Sequence, residues 1–443
     1  MLAYLADRLT EFLAGLGHDV IVTGYQSLGG GRSVLTAGLE LQSDDRSLPD
    51  QVVLQVQKDA GPLAGIASPQ RQFDLLKLAQ SHGLPVANPW WCSDDPVHLG
   101  APFLVTSTVL GASLDPFRRD HRGTLRELAD NSFLKSAIVD HLVTLHSIEI
   151  AKLPESAQLS NDNFPVRHEI DRWSVVIAKS RFVDDPLLAH VEQWLRDHEP
   201  AEQRCSLIHG DYRMGNFIVA EGGRVAAILD WEFASAGDPL LDVGLMASPA
   251  VLAGGLYDGI WEDGEFADLY ATRTGVELST DILHYYVVLA TFKVAGLWVN
   301  ATISSSDESM SLEVLRSGFS VLTLRRLLAD ALHLVPQRPH EITPSVRAAV
   351  RALAPSGTDP WEDRRSVLLS GVARAMLERP SPECERDFWT QYLDWMGTQE
   401  PILAREPAVS DLAHAAKRLA GSGDEEALQL LAQAAQLPFG MWP

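Results

Sequence analysis

Cysteine is scarce in this sequence: Cys92, Cys205 and Cys384 are the only three in 443 residues. They are odd in number and far apart, which argues against a disulfide framework, and no CxxC pair marks a zinc or redox site. A reducing compartment is the expectation. Positive charge is scarce too. Lys and Arg number 36 against 59 Asp and Glu, a net charge of −23, so the basic footprint of a nucleic-acid binder is missing. Long apolar runs are absent, and none reaches the roughly 18 residues of a membrane span. The N-terminal "MLAYLADRLTEFLAGLG" has apolar residues at helical spacing. Asp7, Arg8 and Glu11 interrupt it, so it lacks the continuous apolar region of a signal peptide. These absences predict a cytoplasmic protein with no nucleic-acid or membrane partner.

What is present is ordinary in bulk, with 46% hydrophobic and 21% charged residues. The length exceeds what one hydrophobic core organises. Residues 1–17 read as an amphipathic helix ended by Gly15 and Gly17. "DVIVTGYQSL", "SVLTAGLEL" and "QVVLQVQ" read as strands, with "GGGR" between the first two. "SPQRQFDLLKLAQSHG" is a helix with Ser68 as N-cap, Pro69 in the first turn and Gly83 at its end. "APFLVTSTVLG" is another strand. From about residue 111 helical periodicity dominates, in residues 121–148, 167–182, 185–198, 264–275 and 281–302 and in stretches beyond. The reading is α+β: a strand-rich lobe over 1–110, a helical lobe over 111–336 that holds one isolated hairpin, and a helical appendage over 337–443.

The hairpin carries the chemistry. In "HGDYRMGNFIVAEGGRVAAILDWE" (209–232) two apolar strands flank Gly222-Gly223, a strong short hairpin signal. With that pair as the loop, facing residue numbers sum to 445, and Asn216 and Asp230 sum to 446. They lie within one residue of being opposite, where Cβ atoms are about 5 Å apart. An amide oxygen and a carboxylate so placed, together with phosphate oxygens, suit one small hard cation such as Mg²⁺. The plainer alternative makes Asn216 and Asp230 strand-end turn formers and Asp211 an Asx-turn. The apolar embedding, the register and the "GGG" turn upstream weigh against it.

"HGDYRMGN" followed by "ILDWEFASAGDPLLDVG" resembles the aminoglycoside phosphotransferase/choline kinase family, whose fold is similar to that of protein kinases. The resemblance spans roughly residues 20–330 and looks closest to the branch associated with acyl-CoA dehydrogenases. It implies a bilobal kinase-like fold and a Mg-ATP- or GTP-dependent phosphotransferase. The acceptor would be a hydroxyl of a small aminoglycoside-like, choline-like or hydroxyacyl-type molecule. By that likeness Asp211 accepts the proton of the attacking hydroxyl, and Asn216 and Asp230 hold Mg²⁺. His209 holds the loop without transferring protons, and Asp238 and Asp242 are structural anchors. Arg213, two residues after Asp211, is placed to meet the transferring phosphoryl group, which a guanidinium can bind bidentately. Gly29, Gly30, Gly31, Arg32 and Ser33 would cover the nucleotide phosphates, and backbone groups from Ser107 to Val109 would meet the base.

The pattern departs from the family on the third strand and the following helix. Gln55 stands where a phosphate-pairing Lys or Arg is expected, and Gln72 stands where its Glu partner belongs. Lys58 lies an odd step away, which points it to the other face of a regular strand. Two further readings follow: a nucleotide-binding, pseudokinase-like regulatory module, and a scaffold whose C-terminal "DFWTQYLDWM" engages a partner. The acidic, aromatic "YDGIWEDGEFADLY" (257–270) would suit a cationic acceptor or form an ordinary helix start.

Overall fold

The computed structural model describes residues 2–28, 34–58, 68–114, 122–128, 130–158, 165–179, 186–248, 260–261 and 264–303. Gly29 to Ser33, the 337–443 appendage with its "DFWTQYLDWM", and Cys384 lie outside the described residues.

Helix α1 (Leu2–Gly15) precedes strands β1 (Val20–Ser27), β2 (Val34–Ser43) and β3 (Gln51–Gln57), helix α2 (Pro69–Ser81), and strands β4 (Pro89–Ser93) and β5 (Phe103–Ser107). The five strands form one antiparallel sheet in the order β1-β2-β3-β5-β4. Strand alternation divides its two faces. On one face Ala37, Leu39, Val52, Leu54, Phe103 and Val105 pack with Leu5, Leu9 and Leu13 of α1. On the other, Leu104 joins Leu75, Leu76 and Ala79 of α2. Gln55 pairs with Leu104 across the β3–β5 ladder, so it belongs to the α2 face. The Ser68 hydroxyl accepts from the Arg71 amide at 3.1 Å with Pro69 in the first turn, and Gly83 (φ +78°) follows the helix end.

Strand β6 (Ala112–Ser113) is followed by helices α3 (Arg122–Leu128), α4 (Ser132–His146), α5 (Pro165–Ala178) and α6 (Pro186–Asp197). The expected 121–148 helix is broken because Asn131 caps α4, accepting from the Leu134 amide at 3.0 Å. Next come β7 (Ser206–Ile208), β8 (Phe217–Val219), β9 (Val225–Ile228) and β10 (Ser235–Gly237), then α7 (Leu240–Ala247), α8 (Glu265–Thr274) and α9 (Thr280–Ile303).

The hairpin β8–β9 is not isolated. Strand β6 pairs with β8 to make three strands, and β10 pairs with β7 beside them. Its register is the counted one: Phe217 faces Ile228 and Ile218 faces Ala227. The turn is one residue longer than expected. Glu221–Gly223 form a 3-10 turn with Ala220 facing Arg224, and an irregularity between Ile218 and Val219 absorbs the difference. Gly222 and Gly223 both take positive φ.

The described residues up to Arg172 and from His198 to Ala290 form one compact unit, and those within 173–197 and 291–303 belong to another. The candidate site lies wholly within the first. Among the described residues, no helix is long and apolar enough to cross a membrane.

Candidate active site

The loop between β7 and β8 is fixed from beneath by one buried carboxylate. Asp242, on α7, is fully buried. Its Oδ2 accepts the His209 amide at 2.8 Å and its Oδ1 the Gly210 amide at 2.8 Å. His146 Nε2 lies 3.1 Å from the same Oδ2, and His146 Nδ1 lies 2.8 Å from the Tyr270 hydroxyl. Burial pushes the Asp242 carboxyl up, but the bond and charge of His146, aided by His209, hold it below the usual carboxylate range. Gly210 (φ +78°) admits no side chain, because a Cβ there would stand 2.8 Å from the Phe233 carbonyl oxygen. Tyr212 points down and donates to the Ile138 carbonyl at 2.6 Å.

His209 is buried and spans two elements. The Asp211 amide donates to its Nδ1 at 3.2 Å, and Nε2 lies 2.8 Å from the Leu229 carbonyl. An Nδ1 that accepts leaves the proton on Nε2, where it can donate to Leu229. Burial lowers the His209 pKa, so the ring is neutral. It acts as a strut between the loop and the residue preceding Asp230.

Above this base the polar groups converge. Asn216 Nδ2 donates to the Asp211 carbonyl at 2.8 Å and to Asp211 Oδ2 at 2.7 Å. Arg213 Nε reaches both Asp211 oxygens at 3.2 Å. The Leu229 amide donates to the Asn216 carbonyl at 2.7 Å, which brings Asp230 beside Asn216. Asp230 has φ 58° and ψ 59°, the one non-glycine residue with positive φ among those described. Such a conformation is strained for most residues and tends to persist where surrounding structure requires it. The Asp230 side chain reaches solvent but is flanked closely by protein. Loss of hydration, then the Asp211 charge, pushes its carboxyl above the usual range.

Glu232 was not anticipated. It is half-buried, and desolvation together with the charges of Asp230 and Asp211 pushes its carboxyl well up. An acid two residues past Asp230, in "DWE", was the available signal. Crowded carboxylates of this kind fit a hard divalent cation. The Asn216 amide nitrogen is already committed, so its oxygen is the atom left to meet one. Among the described residues no three His, Cys, Asp or Glu side chains alone form a metal cluster. Mg²⁺ held by two protein oxygens and substrate phosphates does not require one.

The other expected residues are dispersed. Asp238 accepts the Arg204 and Leu240 amides at 3.0 and 2.9 Å, an anchor beneath α7. The Ser107 amide donates to Asn88 at 2.8 Å and its hydroxyl accepts from Trp90 Nε1 at 2.8 Å, so those two groups are engaged within the lobe. Val109 lies half-buried just past β5. Gln55 is half-buried on β3 and Gln72 is buried on α2. Among the described residues no hydrogen bond joins the two glutamines. Lys58 follows the end of β3, exposed. In the 257–270 stretch, Glu265 is paired with Lys135 at 2.7 Å, and Phe266 and Tyr270 are buried. Asp268, on the same helix, is exposed.

A family model described as the phosphotransferase enzyme family matches residues 41–279. Acyl-CoA dehydrogenase family member 11 of Gallus gallus is 30% identical over 259 residues, 54% of this chain and 32% of that protein. Acyl-CoA dehydrogenase family member 10 of Mus musculus is 25% identical over 269 residues, 56% of this chain and 24% of that protein. The aligned part thus spans about a quarter to a third of the length of these curated relatives. A solved structure from Ralstonia eutropha JMP134, provisionally assigned as an aminoglycoside phosphotransferase, superposes with a TM-score of 0.55 at 18% identity. It covers 75% of this chain and 99% of that one. At that identity the likeness concerns the fold, which is that of kinase-like phosphotransferases.

Proposed function

The chain belongs to the phosphotransferase enzyme family, and from that premise we propose that it transfers the terminal phosphoryl group of ATP or GTP to a hydroxyl of a small molecule. The observation that carries this reading is the convergence of Asp211, Asn216 and Asp230 at the end of one hairpin. In it Asp211 accepts the acceptor's proton. Its carboxylate is already aimed by Asn216, so little reorganisation precedes proton transfer. Asn216 and Asp230 hold Mg²⁺, with Glu232 near enough to add charge. The cation, when bound, neutralises charge on the nucleotide phosphates. Arg213, 3.2 Å from Asp211 Oδ2, steadies the transferring group. The β1–β2 connection, Gly29 to Ser33, covers the phosphates, and the stretch from Ser107 to Val109 meets the base. Residues 1–110 serve as the nucleotide lobe.

The acceptor we favour is of hydroxyacyl type. The relatives are acyl-CoA dehydrogenase family members, and of the acidic residues described in the 257–270 stretch Glu265 is paired with Lys135. We place the reaction in the cytoplasm. The test is transfer of labelled γ-phosphate to a panel of hydroxyacyl thioesters, aminoglycosides and choline analogues. Mg²⁺-dependent turnover lost in Asp230→Ala is expected. Turnover that survives that substitution rejects the assignment.

A pH signature accompanies it. The folded-state pKa values of Asp230 and Glu232 are raised, so their contribution to stability is largest when protonated and is lost as pH rises through those values. A cation reverses that loss but needs the ionised forms. Mg²⁺ with a non-hydrolysable ATP analogue should therefore raise the melting temperature most on the alkaline side of both titrations. The increment should shrink as pH falls through them. A shift independent of pH in differential scanning fluorimetry contradicts this.

A further inference from the structure

With no bond between Gln55 and Gln72, something else must tie α2 to the phosphoryl-transfer machinery. Arg71 is the neighbouring residue on α2, and its Nη2 donates to the backbone carbonyl of Glu232 at 2.9 Å, across 161 residues of sequence. That carbonyl lies in the single 3-10 turn Trp231–Phe233, which starts from the left-handed Asp230. A one-turn helix leaves carbonyls without internal partners, and a charged donor is a strong replacement.

The first turn of α2 is held at its other side as well. Asp94, just past β4, accepts from the Ser68 hydroxyl at 2.7 Å and from the Gln70 amide at 3.0 Å. One short stretch, Ser68 to Arg71, is therefore fixed to the five-stranded sheet by Asp94 and to the acidic turn by Arg71. A second guanidinium, that of Arg172, lies 5.9 Å from the ring centroid of Phe233 in the same turn.

We propose that Arg71 is the positioning residue that couples α2 to the Asp230–Glu232 turn, doing by a side chain-to-backbone bond what a strand–helix ion pair would otherwise do. It acts through the turn. It sets where the Asp230 and Glu232 carboxylates stand relative to Asn216, and it transmits displacements of α2 to them. The catalytic consequence rests on the phosphotransferase reading, but the mechanical coupling does not.

Two measurements separate these layers. The first is hydrogen exchange on full-length wild type, Arg71→Gln and Arg71→Lys. Loss of the bond in Arg71→Gln should raise exchange about tenfold or more in peptides covering 230–234. Peptides of β1 and β2 should be unchanged, and Arg71→Lys, which keeps one charged donor, should fall between. Equal exchange over 230–234 in all three proteins overturns the proposal, whether or not the protein phosphorylates anything. The second is steady-state kinetics with Mg²⁺ as the varied component. Arg71→Gln should need several-fold more Mg²⁺ for half-maximal rate and lose about ten- to a hundredfold in kcat, as a misplaced group does, with KM for ATP little changed. A rise in KM for ATP alone overturns positioning in favour of direct nucleotide binding. Wild type without turnover counts against the phosphotransferase reading and leaves the exchange result to decide this one. Should Arg71→Gln fail to fold, Arg71→Lys against wild type carries both comparisons.

Discussion

Replacing Asp211 with Asn is expected to lower kcat by about a thousandfold, within the range found when a positioned general base is removed. The substitution keeps the shape of the side chain. It removes the negative charge that faces Arg213 Nε at 3.2 Å, while the one oxygen that remains can still receive Asn216 Nδ2. The nucleotide should still bind, because the groups assigned to it lie on other elements. KM for ATP and the thermal shift produced by its non-hydrolysable analogue should therefore stay close to wild type. That split is the diagnostic feature: a base acts on the acceptor in the transition state, so its loss falls on kcat. Arg213→Ala provides the contrast. Arg213 is bonded to Asp211 and, in the proposed mechanism, meets the transferring phosphoryl group, so its removal should lower kcat by less than the loss of the base while leaving KM for ATP close to wild type. Asp211→Asn with near wild-type kcat would remove proton abstraction from the mechanism. An unchanged kcat in Arg213→Ala would remove the arginine from it.

The hairpin that carries the candidate site could be read from the sequence because it is local. Counting from Gly222-Gly223 placed Phe217 opposite Ile228 without any tertiary information, and the ladder has that register; Asn216 lies just beyond it, its carbonyl receiving the amide of Leu229, the residue before Asp230. The count missed the third turn residue because an irregularity at Ile218/Val219 cancels it two pairs later. Elements that lack a period were not legible. In α7, Leu241 to Met246 are all buried, so it has no polar face to betray a helix. Strands β6, β7 and β10 are two or three residues long, and their pairing is decided by tertiary packing. In β4, "PWWCS" alternates imperfectly because its register slips between Pro89 and Trp91. Long-range links were invisible for the same reason. Nothing near Arg71 signals a bond to a carbonyl 161 residues away, and nothing near Asp230 signals its left-handed backbone, which is set by the strut from His209 to Leu229 and the turn that follows.

The second large effect is expected at Asp242, which touches no substrate in any reading. Two oxygens there serve three donors: the His209 and Gly210 amides and His146 Nε2. Asp242→Ala leaves both amides of the loop buried and unpaired, and removing one member of a buried charged arrangement costs about 3–5 kcal/mol. For a domain of this size, that lowers the melting temperature by on the order of 10 °C. Asp242→Asn is the sharper test. His146 can change tautomer to suit an NH₂ group, but a backbone amide cannot. Whichever way the new side chain is turned, its NH₂ meets either the His209 N–H or the Gly210 N–H, and one donor is stranded at about 1–3 kcal/mol. Because those amides set the height of Asp211, kcat should drop about a hundredfold even in protein that remains folded. The pH dependence has a definite sign. The folded-state pKa of Asp242 is depressed, so its stabilisation is fully present above the unfolded value of about 3.9 and is lost as pH falls through the lower folded value. The stability gap between wild type and Asp242→Asn, measured by chemical denaturation, should therefore be constant near neutrality and close only in strong acid. A gap that closes near neutrality instead would show that this carboxylate does not control it.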